Sequence, residues 1–388
     1  MRHYFYKYIF RIILAVIILA AASCSQESQD DYGRSRTVFV YINADNNLAG
    51  YAYENINQLL KGYAGVKSNS SNLIVYADYK DKTPELYEIV QDNGRVVKRL
   101  IKTYGEQDSS SEEVMGQVFG EVYDKYPASS YGLILAYHGA GWLPEENNTF
   151  ITNKSRRTGY PTRSKAQSKK AYLDIKVLSA VLDRAPYQDF IIFDACLMGS
   201  AEVAYELKGK ANYIIASPTE VHAKGFAYDK LIKSLFVPGK PDYQKICDEY
   251  VAYYRDSYKD DPPFQTATIS VVNLKYIDAF RQFVKRMISK YPNEYRSVNA
   301  LRVQPFDRMT HKVFFDARDL ICQMPLTRNE IKELDGILEE LVPGKRATAH
   351  FVNLPIEKFS GISLGYEPYL MRDLQPCYEA LNWNKKTE

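Results

Sequence analysis

Three short segments carry residue types that can do chemistry, and each follows an apolar run. Asp45 and Asn46 come after TVFVYI (37–42), His138-Gly139 after YGLILAY (131–137), and Asp194-Ala195-Cys196 after FIIF (190–193). A cysteine becomes a strong nucleophile as a thiolate beside a base, and an imidazole supplies such a base near neutral pH. A glycine beside that imidazole lets its backbone N–H approach a developing oxyanion, and the nucleophile's own N–H is a second donor. Gly139 and Cys196 are therefore the candidate oxyanion hole. Cys196 also precedes Leu197-Met198-Gly199-Ser200 and the helical run AEVAYEL, so a helix N-terminus is expected to favour its thiolate. Taken alone, a cysteine after an apolar strand is more often a small core residue. His138 and Cys196 gain meaning together, and only if their strands run parallel and end on one rim, where open α/β sheets bind ligands.

The surrounding pattern supplies such strands. From Thr37, short β-branched or aromatic runs alternate with longer helical patterns, the rhythm of a mostly parallel sheet covered by helices. TVFVYI, NLIVYA (72–77), YGLILAY, DFIIFDA (189–195) and NYIIAS (212–217) read as strands; 48–62, 111–126 and 175–185 read as helices. ELYEIV (85–90) and RVVKRLI (95–101) flank Asp92-Asn93-Gly94, a hairpin signal. Past about residue 240 the rhythm changes. Helices at 243–257, 274–290 and 328–341, with strands at 267–273, 347–352 and 361–366, predict an α+β subdomain over 241–388 packed on a core spanning 37–240.

The chain has 388 residues, 46% hydrophobic and 25% charged, which fits a folded protein with a sizeable core. Its formal charge of +3 belongs to the first 23 residues, where Arg2, Lys7 and Arg11 stand without an acid. Removing them leaves a formally neutral chain, so composition gives no support for nucleic-acid or anionic-membrane binding. Residues 12–22, IILAVIILAAA, are too short to cross a bilayer and follow a basic segment, which is a signal-peptide pattern. Ala21-Ala22-Ser23-Cys24 resembles a lipoprotein lipobox, which predicts a signal peptide over 1–23, lipidation at Cys24 and a polar tether over 24–36. Acids after Cys24 resemble a surface-export signal, so the expected location is the outer membrane or surface of a Bacteroides-type bacterium, reached through the lipid anchor only. Five scattered cysteines form neither a disulfide framework nor a zinc motif. Cys247, Cys322 and Cys377 are expected to be free packing thiols.

AYHGAGW (136–142) together with FDACLMGSAEVAYEL (193–207) resembles the clostripain family of cysteine peptidases, in the caspase and legumain superfamily. TVFVYINADNNL (37–48), GISLGYEP (361–368) and CYEALNW (377–383) resemble its flanking blocks, so the likeness runs through nearly all of the mature chain. The resemblance implies a caspase-like α/β fold with a central sheet flanked by helices, a His138/Cys196 dyad without a third catalytic residue, and cleavage of peptides or proteins after Arg or Lys. It also implies activation by cutting a loop at about 143–172, giving two chains of one monomer, and brings in calcium as a candidate ion. No cofactor is needed for the chemistry itself. The loops at Asp45 and Asp78 carry oxygen ligands, but the sequence places no metal site.

Two features bear on specificity. The family's TEPGDGW-like stretch, whose acid lies in the S1 pocket, corresponds here to TEVHAKGF (219–226), so Lys224 takes the acid's place. A cation there would repel a P1 arginine unless it turns to solvent. Asp194, also proposed as a basic-residue selector in the family, is retained, and it could pair with Lys224 or meet substrate. In the other direction, Lys154 to Lys170 holds seven cations and no acid, a loop rich in sites for cleavage after basic residues. His222 is a candidate for the cleft wall, and His311 and His350 read as structural. Two rival readings stay open: a non-catalytic surface lipoprotein that binds peptide or glycan on the same rim, and a thiol-based transferase.

Overall fold

The computed structural model describes residues 35–66, 71–80, 82–144, 172–237 and 239–385. The signal segment, Cys24, all but the last two tether residues, and most of the 143–172 loop lie outside the described residues.

A nine-stranded sheet forms the centre, in the order β10-β8-β7-β6-β5-β1-β2-β3-β4. Strands β1 (Arg36–Ala44), β2 (Ser71–Tyr79), β5 (Ser130–Ala136), β6 (Gln188–Asp194) and β7 (Ala211–Ala216) pair in parallel. Beyond β2 come the antiparallel β3 (Lys82–Asp92) and β4 (Arg95–Thr103). Asn93 and Gly94, at φ of 48° and 76°, make the two-residue turn between them, the left-handed pair that a twisted hairpin requires.

Alternation along the parallel strands buries both faces, which is why they read as nearly continuous apolar runs. Phe39 and Tyr41 face one core, packed under α2 (Glu112–Lys125), α3 (Ile175–Leu182) and α4 (Ala201–Glu206). Val38, Val40 and Ile42 face the other, packed under α1 (Ala49–Tyr63), α5 (Tyr228–Leu235) and α6 (Tyr243–Ser257). Helix α2 starts where its chemistry predicts: Ser111 caps the Val114 N–H, and Glu112 and Glu113 occupy the positive first turn.

Two strands from beyond residue 240, β8 (Thr268–Asn273) and β10 (Gly344–Ala347), extend the same sheet in antiparallel fashion. Helices α7 (Ile277–Lys290) and α8 (Arg328–Leu341) lie on the α2 side, α8 opened by a capping box between Thr327 and Glu330. The expected strand at 347–352 is instead the end of β10 followed by a two-residue ribbon, β11 (His350–Phe351) with β12 (Leu354–Pro355). The break falls at Thr348, whose hydroxyl donates to His350 O at 2.6 Å, and Val352, at φ 53°, turns the chain between β11 and β12. Several elements went unread in the sequence, among them α5, the short helices Pro292–Arg296, Ala317–Ile321 and Gln375–Glu379, and β9 (Phe314–Asp316), the last paired with β13 (Ser363–Gly365). Among the described residues no helix is long and apolar enough to cross a membrane.

Candidate active site

The chain runs from β1 to β2 on one side and returns to β5 on the other, so the order reverses between β1 and β5. The rim at that reversal is where this sheet class binds ligands. The β5/β6 ladder pairs Ala136 with Asp194, and continuing it by two residues sets His138 opposite Cys196. Gly139 then lies so close to the nucleophile's backbone that a Cβ on it would meet Cys196 N and Cys196 O at 2.4 Å. Only glycine fits that approach. The predicted dyad and both predicted oxyanion amides thus share one rim, and His138 and Cys196 are both fully buried.

Asn47, just past β1, holds the imidazole. Its Oδ1 lies 2.8 Å from His138 Nε2. An amide oxygen only accepts, so Nε2 carries the proton and Nδ1 is the basic nitrogen. The ring also tilts against Tyr172 at 5.8 Å between centroids, where the chain re-enters beside β5. The sequence pointed to Asp45 and Asn46 in this run. Asn46 serves the backbone, its Oδ1 accepting from Leu48 N at 2.9 Å.

Cys196 sits in a turn rather than at the end of a helix. Leu197 adopts a left-handed φ of 64°, and its N–H donates to Thr219 O at 2.9 Å. Such strain in a non-glycine residue is held in place by its surroundings and clusters at functional sites. Helix α4 begins only at Ala201 and is closed off by the Ser200 side chain, which accepts from Val203 N. The expected help from a helix N-terminus is therefore absent at the sulfur. Its place is taken by one amide: Val221 N–H points at Cys196 Sγ with N···S 3.0 Å. An N–H directed at sulfur favours the thiolate.

The two S1 candidates lie apart. Asp194 is buried and accepts the Tyr228 hydroxyl at 2.7 Å. Lys224 is half-buried, its ammonium 3.5 Å from the Tyr258 ring centroid and 4.3 Å from that of Phe264. Partial burial lowers its pKa against the pull of Asp261. Among the described residues no ion pair joins Asp194 to Lys224. Lys224, Glu54 and Tyr51 line a cavity of about 450 Å³ against the first turns of α1, which begins just beyond Asn47. His222 lies outside the cleft. It is buried among the rings of Tyr254, Phe264 and Phe351, donates through Nε2 to Thr266 O at 2.9 Å, and is held near pKa 4, mainly by burial.

Two residues with no sequence signal also belong here. Arg308, from the loop before β9, forms an ion pair with Glu220 in which the side chains are 10% and 6% exposed. Asp307 braces that loop by accepting from the N–H groups of Met309, Val313 and Phe314. The Phe314 ring in turn packs against Trp142 at 5.9 Å, closing the loop over the histidine block.

The remaining candidates are structural. His311 bonds Tyr369 O and stacks on its ring at 4.2 Å, and His350 is exposed. Cys247, Cys322 and Cys377 are free thiols, with burial pushing Cys247 up to about 12. Among the described residues no group of three or more His, Cys, Asp or Glu side chains could hold a metal. Asp78 accepts the Ser109 hydroxyl at 2.5 Å.

The chain resembles known cysteine proteases in sequence and in fold. The chain is 26% identical to clostripain of Hathewaya histolytica over 240 residues, 55% of this chain and 45% of that protein. It thus spans less than half the length of that curated relative. An inactive zymogen C11 protease from Parabacteroides distasonis superposes with a TM-score of 0.77 at 27% identity, covering 90% of this chain and 97% of the other. A secreted C11 cysteine protease from Bacteroides thetaiotaomicron, in complex with an irreversible peptide inhibitor, gives 0.74 at 28% identity, with coverage of 90% and 97%. The clostripain family model matches residues 40–338, from within β1 to within α8 and through both strand-end blocks. With a match over most of its length, the chain belongs to the clostripain family of cysteine peptidases.

Proposed function

We propose that this protein is an exported, lipid-anchored cysteine endopeptidase that hydrolyses peptide bonds through His138 and Cys196. The observation that carries the reading is the β5/β6 register, which sets His138 opposite Cys196 and presses Gly139 against the nucleophile's backbone.

His138 Nδ1 takes the thiol proton, and the thiolate, steadied by the Val221 amide, attacks the scissile carbonyl. The oxyanion of the tetrahedral intermediate receives the Gly139 and Cys196 N–H groups. His138 then returns the proton to the leaving amine, leaving an acyl-enzyme thioester. Water attacks that thioester, with His138 again acting as base, and releases the acid and the free thiol. Asn47 keeps the imidazole in one tautomer throughout. Thiol and imidazole suffice for every step, and calcium takes part in none.

For specificity, P1 is Arg or Lys, met by Asp194 at the foot of the cleft. Lys224 lies along its side on the rings of Tyr258 and Phe264 and weakens that preference without abolishing it. The seven-cation loop, Lys154 to Lys170, is the matching site of self-cleavage. Cys24 carries the lipid anchor and the tether holds the enzyme at the cell surface.

A thiol-directed active-site probe and a diverse peptide library test the reading on the full chain. Labelling at Cys196 with cleavage after basic residues is expected. Absence of both, with Cys196→Ala behaving identically, would overturn it. Tight peptide binding without turnover would favour the non-catalytic lipoprotein, and ligated product without hydrolysis the transferase. Lipid labelling lost in Cys24→Ser tests the anchor.

A further inference from the structure

The Glu220–Arg308 pair has no role in those steps, yet it touches the machinery from behind. Glu220 immediately precedes Val221, whose N–H reaches Cys196 Sγ at 3.0 Å. The same stretch is laced to the nucleophile turn by Leu197 N to Thr219 O and Gly199 N to Ser217 O, both 2.9 Å. Arg308 comes from a separate loop, fixed by Asp307, and its guanidinium carbon lies 5.8 Å from the Phe351 ring centroid. With both side chains nearly buried, the pair's field is little screened by solvent.

We propose that Arg308 is a positioning residue for the nucleophile: clamped by Glu220 behind the Val221 segment, its charge holds Cys196 toward the thiolate and sets the pH at which the enzyme becomes reactive. This rests on Cys196 being the nucleophile.

The titratable and charged groups around the sulfur are His138 at the end of β5, Asp194 two residues before it, Glu220 and His222 after β7, and Arg308. Burial would lower the Arg308 pKa, but Glu220 more than offsets this and raises it, and Cys196 adds in the same direction. The coupling is mutual: whatever Cys196 does for the guanidinium charge, the guanidinium does for a thiolate. Glu220 opposes that effect by its own negative charge while holding the arginine in place. The two members of one ion pair therefore act on the thiol with opposite sign.

That opposition separates an electrostatic role from a structural one. The pH dependence of iodoacetamide inactivation is measured on the reduced full-length protein, with the alkylated cysteine mapped by mass spectrometry, and the midpoint rather than the rate is read. Arg308→Met is expected to raise the midpoint by about one pH unit, which is about a tenfold loss of rate below the wild-type midpoint. Arg308→Lys restores most of it, and Glu220→Gln lowers the midpoint. Shifts in the same direction, or none, overturn the proposal, because both variants break the same bridge. If Arg308→Met does not fold, Glu220→Gln decides: a downward shift supports the proposal, and an upward or absent shift sinks it. Alkylation mapped to another cysteine would instead overturn the nucleophile assignment itself.

Discussion

Two cations stand at the segment after β7, Lys224 as part of it and Arg308 from the loop before β9, and they are held in different ways. Arg308 is locked to a carboxylate, 10% exposed, with a planar fork that keeps its geometry. Lys224 rests on two aromatic faces, half-buried, on a flexible stem that can leave them at modest cost. The difference teaches what each can do. A charge that cannot move acts on the group beside it in every state of the enzyme, whereas one that can move responds to what enters the cleft. His222 lies between them, and the charges of Arg308 and Lys224 both add to the burial that holds it near pKa 4.

The comparison can be broken or sharpened in steps of decreasing size. Removing the group at the centre has the largest effect: Cys196→Ala should cut peptide turnover by on the order of 10⁴-fold or more and abolish covalent labelling. Disturbing the base from the side away from both cations comes next. Asn47→Ala should lower kcat about tenfold to a hundredfold, because Asn47 orients His138. An unchanged kcat in steady-state kinetics would mean that the imidazole needs no such partner.

Lys224→Asp tests the movable cation directly. A positional-scanning library should show cleavage after arginine raised about tenfold, since an attraction replaces a repulsion in a partly dry cleft. An unaltered P1 profile would remove Lys224 from S1. The smallest effect concerns stability. His222 is neutral when folded down to about pH 4, while the unfolded chain binds its proton from about pH 6.5. Between those values the unfolded state holds more protons, so stability falls as pH drops, by up to about 3 kcal/mol. Urea unfolding at pH 4.5 and 7 should show a shallower loss for His222→Phe than for the wild type.

What could be read in advance follows from the range of the forces involved. The strand runs, the Asn93-Gly94 turn and the Ser111 cap are local, written in neighbouring residues, and they fold as written. His138, Gly139 and Cys196 were legible because strand ends in a parallel sheet share a rim. Asn47 was missed by one position: the run after β1 pointed to that rim, but only the β1–β5 adjacency shows which of three polar residues meets the imidazole. Arg308 left no trace at all, since its meaning depends on packing between segments 88 residues apart in the chain. The helix expected to support Cys196 failed for a local reason. The left-handed Leu197 and the Ser200 cap delay its start, and the Val221 amide takes over at the sulfur. The many tyrosines also gain partial sense. Tyr254 and Tyr228 hold Gly225 O and Asp194 through their hydroxyls, and Tyr258 offers its face to Lys224.

The sheet order has one more consequence. Everything from Arg36 to Pro144 supplies the contiguous half β5-β1-β2-β3-β4, and everything from Tyr172 onward supplies β10-β8-β7-β6. A chain broken anywhere between those points divides the sheet where β5 meets β6, while α1 against α5 and Arg36 bonded to Leu235 O still join the two parts. The products would run as two bands under denaturing conditions and as one particle without them. His138 would belong to one polypeptide and Cys196 to the other, so neither fragment alone would be an enzyme, and activity itself would report their reassociation.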